Sequence, residues 1–318
     1  MSIFLSNNII ALFFIQTILL LFATYSLYIS IDIIRYWDFG KSTTTQYSLE
    51  KKNYLVATII FFVVVVKIVL FLFFINSLDG LSVIVPGAMC AAGIVNANEY
   101  GTILLIFKLF TLFGFGIWIV LNKLDIQALD YPYLIKKYYL FVLLFVFICL
   151  EFIVEILYFT NISIQQPVLC CSAVFVDEHS VSSIFDIENI LLLFYICYVV
   201  LLVSNIVKNS LVSFLGGLLF LVLSYFSVTY FFGTYIYELP THKCPFCMLQ
   251  KEYFYIGYVL WMSLFLGVFF SISPYIIKLL TKKELVFGYK LAAIFNTIFV
   301  LLCSYFVVEF YIRNGVFL

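Results

Sequence analysis

The chain has 318 residues, 65% of them hydrophobic and only 11% charged, with a mean hydropathy of +1.16, and no water-soluble fold has core enough to bury that much apolar side chain. Seventeen Lys and Arg against seventeen Asp and Glu leave no basic excess for a nucleic-acid backbone, and too little charge for a coiled coil or a disordered tail. Apolar residues come in long unbroken runs instead of alternating, which argues against a β-barrel and for an all-α, polytopic membrane helix bundle solvated by a lipid bilayer.

Eight runs are long enough to cross about 30 Å of hydrocarbon at roughly 20 residues each. They fall near 9–32, 54–77, 102–121, 138–159, 188–207, 211–236, 253–277 and 289–311, so residues 1–318 read as one integral membrane domain. The first run opens Met1-Ser2-Ile3-Phe4, with no basic stretch and no small-x-small cleavage site, and is expected to remain as a span. Between spans one and two, Gly40-Lys41-Ser42 lacks the upstream glycine and the strand of a phosphate-binding loop, and reads as a polar connector.

Loops 1–2, 3–4, 5–6 and 7–8 hold Arg35, Lys41, Lys51, Lys52, Lys123, Lys136, Lys137, Lys208, Lys278, Lys282, Lys283 and Lys290, whereas the opposite side has Lys243, Lys251 and Arg313. Positive residues stay preferentially on the cytoplasmic side. Both termini and loops 2–3, 4–5 and 6–7 are therefore expected outside, with the chain in the cytoplasmic (inner) membrane.

Ionisable residues within spans are costly and face a partner or a cavity. Lys67 lies in span two, Lys108 in span three, and Glu151 and Glu155 one turn apart in span four. Lys108 and Glu151 sit at a similar depth, about 10–12 Å below the outer edge at about 1.5 Å per residue, which suggests pairing. Glu151 and Glu155 share a helix face suited to passing protons or holding a coupling cation. The alternative is structural: Lys108 and Glu155 snorkel to the interface while Lys67 and Glu151 form an ion pair.

In this topology five of the eight cysteines are outer-loop residues: Cys90, the adjacent Cys170 and Cys171, and Cys244 and Cys247. Both histidines, His179 and His242, join them, while Cys149, Cys197 and Cys303 fall inside spans as small apolar packing residues. Cys90 sits among small residues in Val85-Pro86-Gly87-Ala88-Met89-Cys90-Ala91-Ala92-Gly93, as a re-entrant or capping segment would. Cys170 and Cys171 suit either a shuttle, one cysteine attacked and the other resolving, or a structural clamp.

Sliding the chain on itself by 154 positions lays Pro86-x-x-x-Cys90 on Pro240-x-x-x-Cys244 and Cys149-x-x-Phe152-x-Val154-Glu155 on Cys303-x-x-Phe306-x-Val308-Glu309. Either the halves 1–160 and 161–318 are a parallel 4+4 repeat, or the match is the coincidence that low overall identity permits.

The sharpest local feature is His242-Lys243-Cys244-Pro245-Phe246-Cys247-Met248-Leu249-Gln250-Lys251. A Cys-x-x-Cys just ahead of a helix feels its positive end, and Lys243 and Lys251 would add to that, favouring the thiolate that redox exchange needs. Cys244-Pro-Phe-Cys247-Met-Leu-Gln250-Lys251 is similar to the Cys-x-x-Cys-x-x-Gln/Glu-Arg motif of the disulfide-bond formation protein B family, and resembles the membrane-edge Cys-x-x-Cys of the vitamin K epoxide reductase family. Those families have a four-helix core, reoxidise the motif pair with a membrane quinone, and exchange disulfides with a thioredoxin-like partner through a loop pair. The resemblance implies that Cys244 and Cys247 are the quinone-proximal pair. It puts Gln250 at the Gln/Glu position and Lys251 where the families have a quinone-contacting Arg. The exchanging cysteines would come from Cys90, Cys170 and Cys171.

Two other functions remain open. His242-x-Cys244-x-x-Cys247 with Met248 has workable spacing for a soft ion, so a copper-type transporter or metal-handling protein is one alternative. The other is a structural membrane subunit whose outer loops are stapled by disulfides.

Overall fold

A computed structural model describes residues 6–40, 43–128, 130–164, 167–168 and 187–318. Among them the chain forms helices and turns and no strand. The helices are α1 (Asn7–Tyr36), α2 (Thr44–Leu81), the short α3 (Ala91–Val95), α4 (Tyr100–Ile126), α5 (Leu134–Thr160), α6 (Ile187–Val207) and α7 (Ser210–Ser227). A π turn at Val228–Phe232 carries α7 into α8 (Gly233–Tyr237), and α9 (Ile256–Thr281) and α10 (Val286–Asn314) follow. Eight of the resulting segments are long and apolar enough to cross a membrane, which marks a multi-pass membrane protein. Most helices extend the expected spans by a few residues; α9 instead starts three residues later than expected, at Ile256, and α2 starts well before its apolar run. There the Thr43 hydroxyl accepts the Gln46 N–H at 3.3 Å and so caps a polar first stretch.

Burial follows bilayer logic. Phe14, Tyr54 and Ile206 are exposed, while Asn53, Thr111, Ser213 and Asn296 are buried. Lipid accepts the apolar faces, so polar side chains turn inward to find partners.

Two compact units make up the chain, one from Met1–Pro86 with Ile94–Gln166 and the other from Gly87–Gly93 with Pro167–Leu318. In the first, α1 packs on α2 and α5, and α4 on α5 and α2, a closed ring of four helices. Ile33, Val56, Ile60, Phe115, Trp118 and Phe141 belong to its core. Lys137 does not sit in a loop as the sequence suggests. It starts α5 with its side chain inaccessible, its Nζ 2.7 Å from Asp125. Asp125 also accepts the Tyr133 N–H at 2.8 Å. A buried pair of this kind holds only because hydrogen bonds satisfy its remaining groups.

In the second unit α6, α7, α9 and α10 close a similar ring. Small residues set the approach of its helices. A Cβ on Gly217 would meet the Ser271 Cβ at 2.8 Å, and one on Gly267 would meet the Asn296 Oδ1 at 2.1 Å. The Ser213 hydroxyl donates to the Ser271 carbonyl at 3.0 Å across the α7–α9 contact. Phe194 stacks on Phe220 at 5.4 Å in the middle of the ring.

A buried three-thiol site

The site lies in the second unit, where the chain leaves α8. Pro240 cannot continue a helix, and Glu238, in the left-handed region at φ 54, turns the backbone away. The loop that follows is pinned from two sides. The Tyr237 hydroxyl donates to the Cys244 carbonyl and accepts the Met248 N–H at 3.0 Å. The Trp261 indole on α9 donates to the Pro245 carbonyl at 3.1 Å.

Cys247–Leu249 and Lys251–Tyr253 are single 3-10 turns, and Phe254 and Tyr255 both take positive φ before α9 begins at Ile256. The expected placement of the cysteine pair just ahead of a long helix is therefore corrected. Phe254 and Tyr255, bulky residues in the left-handed region, break the chain between Cys247 and α9, so the pair does not run straight into that helix. The start of α9 instead packs beneath the turn, where a Cβ on Gly257 would meet the Met248 Cγ at 2.5 Å.

Cys90 reaches the same place from far away in sequence. Gly87 has φ +83, and a Cβ there would lie 2.4 Å from the Val168 carbonyl oxygen, so only glycine lets the Cys90 segment close on Pro167–Val168. The Gly93 N–H then bonds the Cys90 carbonyl at 3.1 Å and completes the turn.

The Cys90 and Cys244 sulfurs are 3.5 Å apart. With Cys247 they form a group whose ligand atoms all lie within 4.8 Å of one another. All three side chains are buried, at 0%, 1% and 6% exposure for Cys90, Cys244 and Cys247. The six described cysteines are all thiols. His242 is not one of the converging residues. Its ring stands edge-on to Tyr237 at 4.4 Å, and its Nε2 is buried with no hydrogen-bond partner among the described residues. Burial holds the imidazole below its ordinary pKa, with the nearby Cys90 acting in the opposite direction. Burial likewise pushes the Tyr253 phenol up, reinforced by Cys247.

Of the other expected site residues, Met248 is buried, Gln250 half-buried and Lys251 exposed on the second 3-10 turn. Lys243 instead places its ammonium 5.6 Å from the Tyr230 ring centre. Tyr225 and Trp261 meet at 6.3 Å beside it, forming an aromatic wall. Cys170, Cys171 and His179 lie outside the described residues. Cys197 and Cys303 are buried in their helices and Cys149 is partly so, as packing residues would be.

The intramembrane charges belong to the first unit. Lys67 bonds both Glu151 oxygens, at 3.0 and 2.9 Å. Lys108 reaches Glu151 at 3.2 Å and Glu155 at 3.1 Å. The Thr111 hydroxyl donates to Glu151 at 2.8 Å. Snorkelling of Lys108 and Glu155 is thus overturned: both are buried, and all four charges form one neutral network that leaves neither sign uncompensated in hydrocarbon.

Tyr237, Trp261 and Gly87 were not singled out from sequence. Tyr237 is one of 24 tyrosines, and nothing local marks its hydroxyl as a backbone clamp. Only Gly87 carried a signal, as one of the small residues expected to let the Cys90 segment approach other backbone closely. No protein-family model, curated protein or solved structure matches the chain.

Proposed function

We propose that this protein is a membrane thiol–disulfide oxidoreductase that carries electrons from extracytoplasmic thiols to a membrane quinone through Cys244 and Cys247. Support comes first from the 3.5 Å contact of the Cys90 and Cys244 sulfurs, with Cys247 in the same group. A thiolate at that distance from a disulfide sulfur is placed to attack it. Cys90 attacks Cys244 of a Cys244–Cys247 disulfide, a Cys90–Cys244 bond forms, and Cys247 leaves as a thiolate and takes a proton.

The three sulfurs are buried, so a soluble dithiol of thioredoxin-like type cannot touch them directly. Cys170 and Cys171 are the entry pair: one attacks Cys90, releasing Cys244, and the other resolves the bond and frees Cys90. The Cys170–Cys171 disulfide then oxidises the partner. Cys244 and Cys247 pass two electrons and two protons to the quinone, which becomes quinol, and are a disulfide again. The wall of Tyr225, Tyr230 and Trp261 with Lys243 is a second surface for a quinone ring beside Gln250 and Lys251.

The protein is placed in the cytoplasmic membrane with the site and both termini on the outer side, in accord with the loop charges. A parallel 4+4 duplication fits the matching helix ring within each unit. It also fits the contact of Cys90 with Cys244, the two cysteines that the 154-residue shift superposes.

Thiol trapping of Cys244 and Cys247 in membranes, with and without a reducible quinone, tests the reading. Quinone should convert the pair to the disulfide, and Cys244→Ser or Cys247→Ser should abolish quinone-dependent oxidation of a dithiol substrate. Full activity in either variant, or a pair that stays oxidised whatever quinone or reductant is supplied, overturns it.

A further inference from the structure

We propose that, in its reduced state, the trio Cys90, Cys244 and Cys247 is a binding site for one Cu(I) ion. Three sulfurs bonded to one ion at about 2.3 Å lie about 4 Å apart around a trigonal centre. The observed sulfurs, 3.5 Å apart for Cys90 and Cys244 and all within 4.8 Å, need move only by tenths of an ångström to reach that arrangement.

The donor set selects the ion. Among the described residues no His, Asp or Glu joins the group, so the site is all sulfur, the ligand class that soft ions prefer. A structural zinc site closes with four ligands, whereas Cu(I) is content with three thiolates, and three converge among the described residues. Burial at 6% exposure or less would keep water and oxygen from the bound ion.

The site is also held in advance. Tyr237 and Trp261 fix the backbone of Cys244–Pro245 and Met248, and Gly87 fixes the turn that carries Cys90. Binding therefore orders little that is not already ordered. As Cu–S bonds form, the thiols release their protons to solvent and no electron moves. A disulfide between any two of the cysteines removes two ligands, so oxidation should expel the ion.

The experiment uses the full chain in detergent, reduced with a phosphine, desalted without oxygen and titrated with Cu(I) against a chromophoric Cu(I) chelator. One Cu(I) per chain should be retained, with X-ray absorption reporting sulfur neighbours only. Cys90→Ser, Cys244→Ser and Cys247→Ser should each weaken retention at least 100-fold. Cys149→Ser and the double variant Cys170→Ser/Cys171→Ser should not. Should a serine variant fail to fold, two arms on the unsubstituted chain decide: the sulfur count, and release of copper after oxidation by a diazene reagent. No retained copper, nitrogen or oxygen neighbours, retention unaffected by the three substitutions, or replacement of Cu(I) by equimolar Zn(II) overturns the proposal. Loss of copper binding alongside intact quinone-linked thiol oxidation would remove this site and leave the redox function standing.

Discussion

Replacing Tyr237 by Phe removes one oxygen and tests whether the thiol loop is held closed by a single side chain. That hydroxyl donates to the Cys244 carbonyl and accepts the Met248 N–H, and both residues are buried. Without it two backbone groups lose their partner in a dry environment. At about 1–1.5 kcal/mol net per hydrogen bond, the closed loop loses about 2–3 kcal/mol relative to an open one in which water satisfies both groups. Opening should then rise roughly 30- to 150-fold. In reduced protein carrying Cys170→Ser and Cys171→Ser, maleimide reacts with Cys244 only through such opening, so its rate should rise by the same factor while helix content stays constant. A rate within about threefold of the parent refutes the clamp and with it the preorganisation invoked for both chemistries.

Other consequences follow from geometry already described. Gly87→Ala puts a methyl 2.4 Å from the Val168 carbonyl at a φ of +83, at a cost of at least about 1–2 kcal/mol, and should expose Cys90 to alkylation while leaving Cys303 protected. In the first unit, Lys67→Met leaves Glu151 short of its bidentate partner and should destabilise by about 3–5 kcal/mol, whereas Lys67→Met with Glu151→Met should recover most of that. Equal melting temperatures for the single and double variants would count against a structural network. His242, whose folded pKa lies below the ordinary value, binds its proton less readily folded than unfolded. Stability should therefore fall as pH drops through about 6.5, and His242→Gln should flatten that part of a melting-temperature profile.

The spans could be read from sequence because apolar run length alone decides whether a helix crosses hydrocarbon. The pairing of Lys108 with Glu151 followed from depth counted along helices. The burial of Glu155 did not, because which way a helix face turns depends on its neighbours. Around the cysteines, the pattern Cys244-x-x-Cys247 was visible, but the local geometry was not. Nothing in Gln250-Lys251-Glu252-Tyr253-Phe254-Tyr255 announces two left-handed aromatic residues in place of a helix start. Cys90 joined the site through a tertiary contact across 154 residues. His242 has suitable ligand spacing in sequence yet points to Tyr237 instead, because spacing fixes reach and not direction.

Burial limits what the three sulfurs can do. A lone thiolate in an apolar environment is costly. A disulfide and a soft cation are the two partners that satisfy buried sulfur without water, and each excludes the other, since two of the three donors are consumed by a bond. Under the proposed chemistry, the same compactness that brings Cys90 to 3.5 Å from Cys244 would make the site responsive to redox state. The loop holding it is fixed by hydrogen bonds to the backbone from Tyr237 and Trp261, which do not change when sulfur is oxidised. Under the proposed function, exchange among the sulfurs would require side-chain rotation within a standing frame, and the slow step would be the admission of a fourth sulfur or a quinone to it.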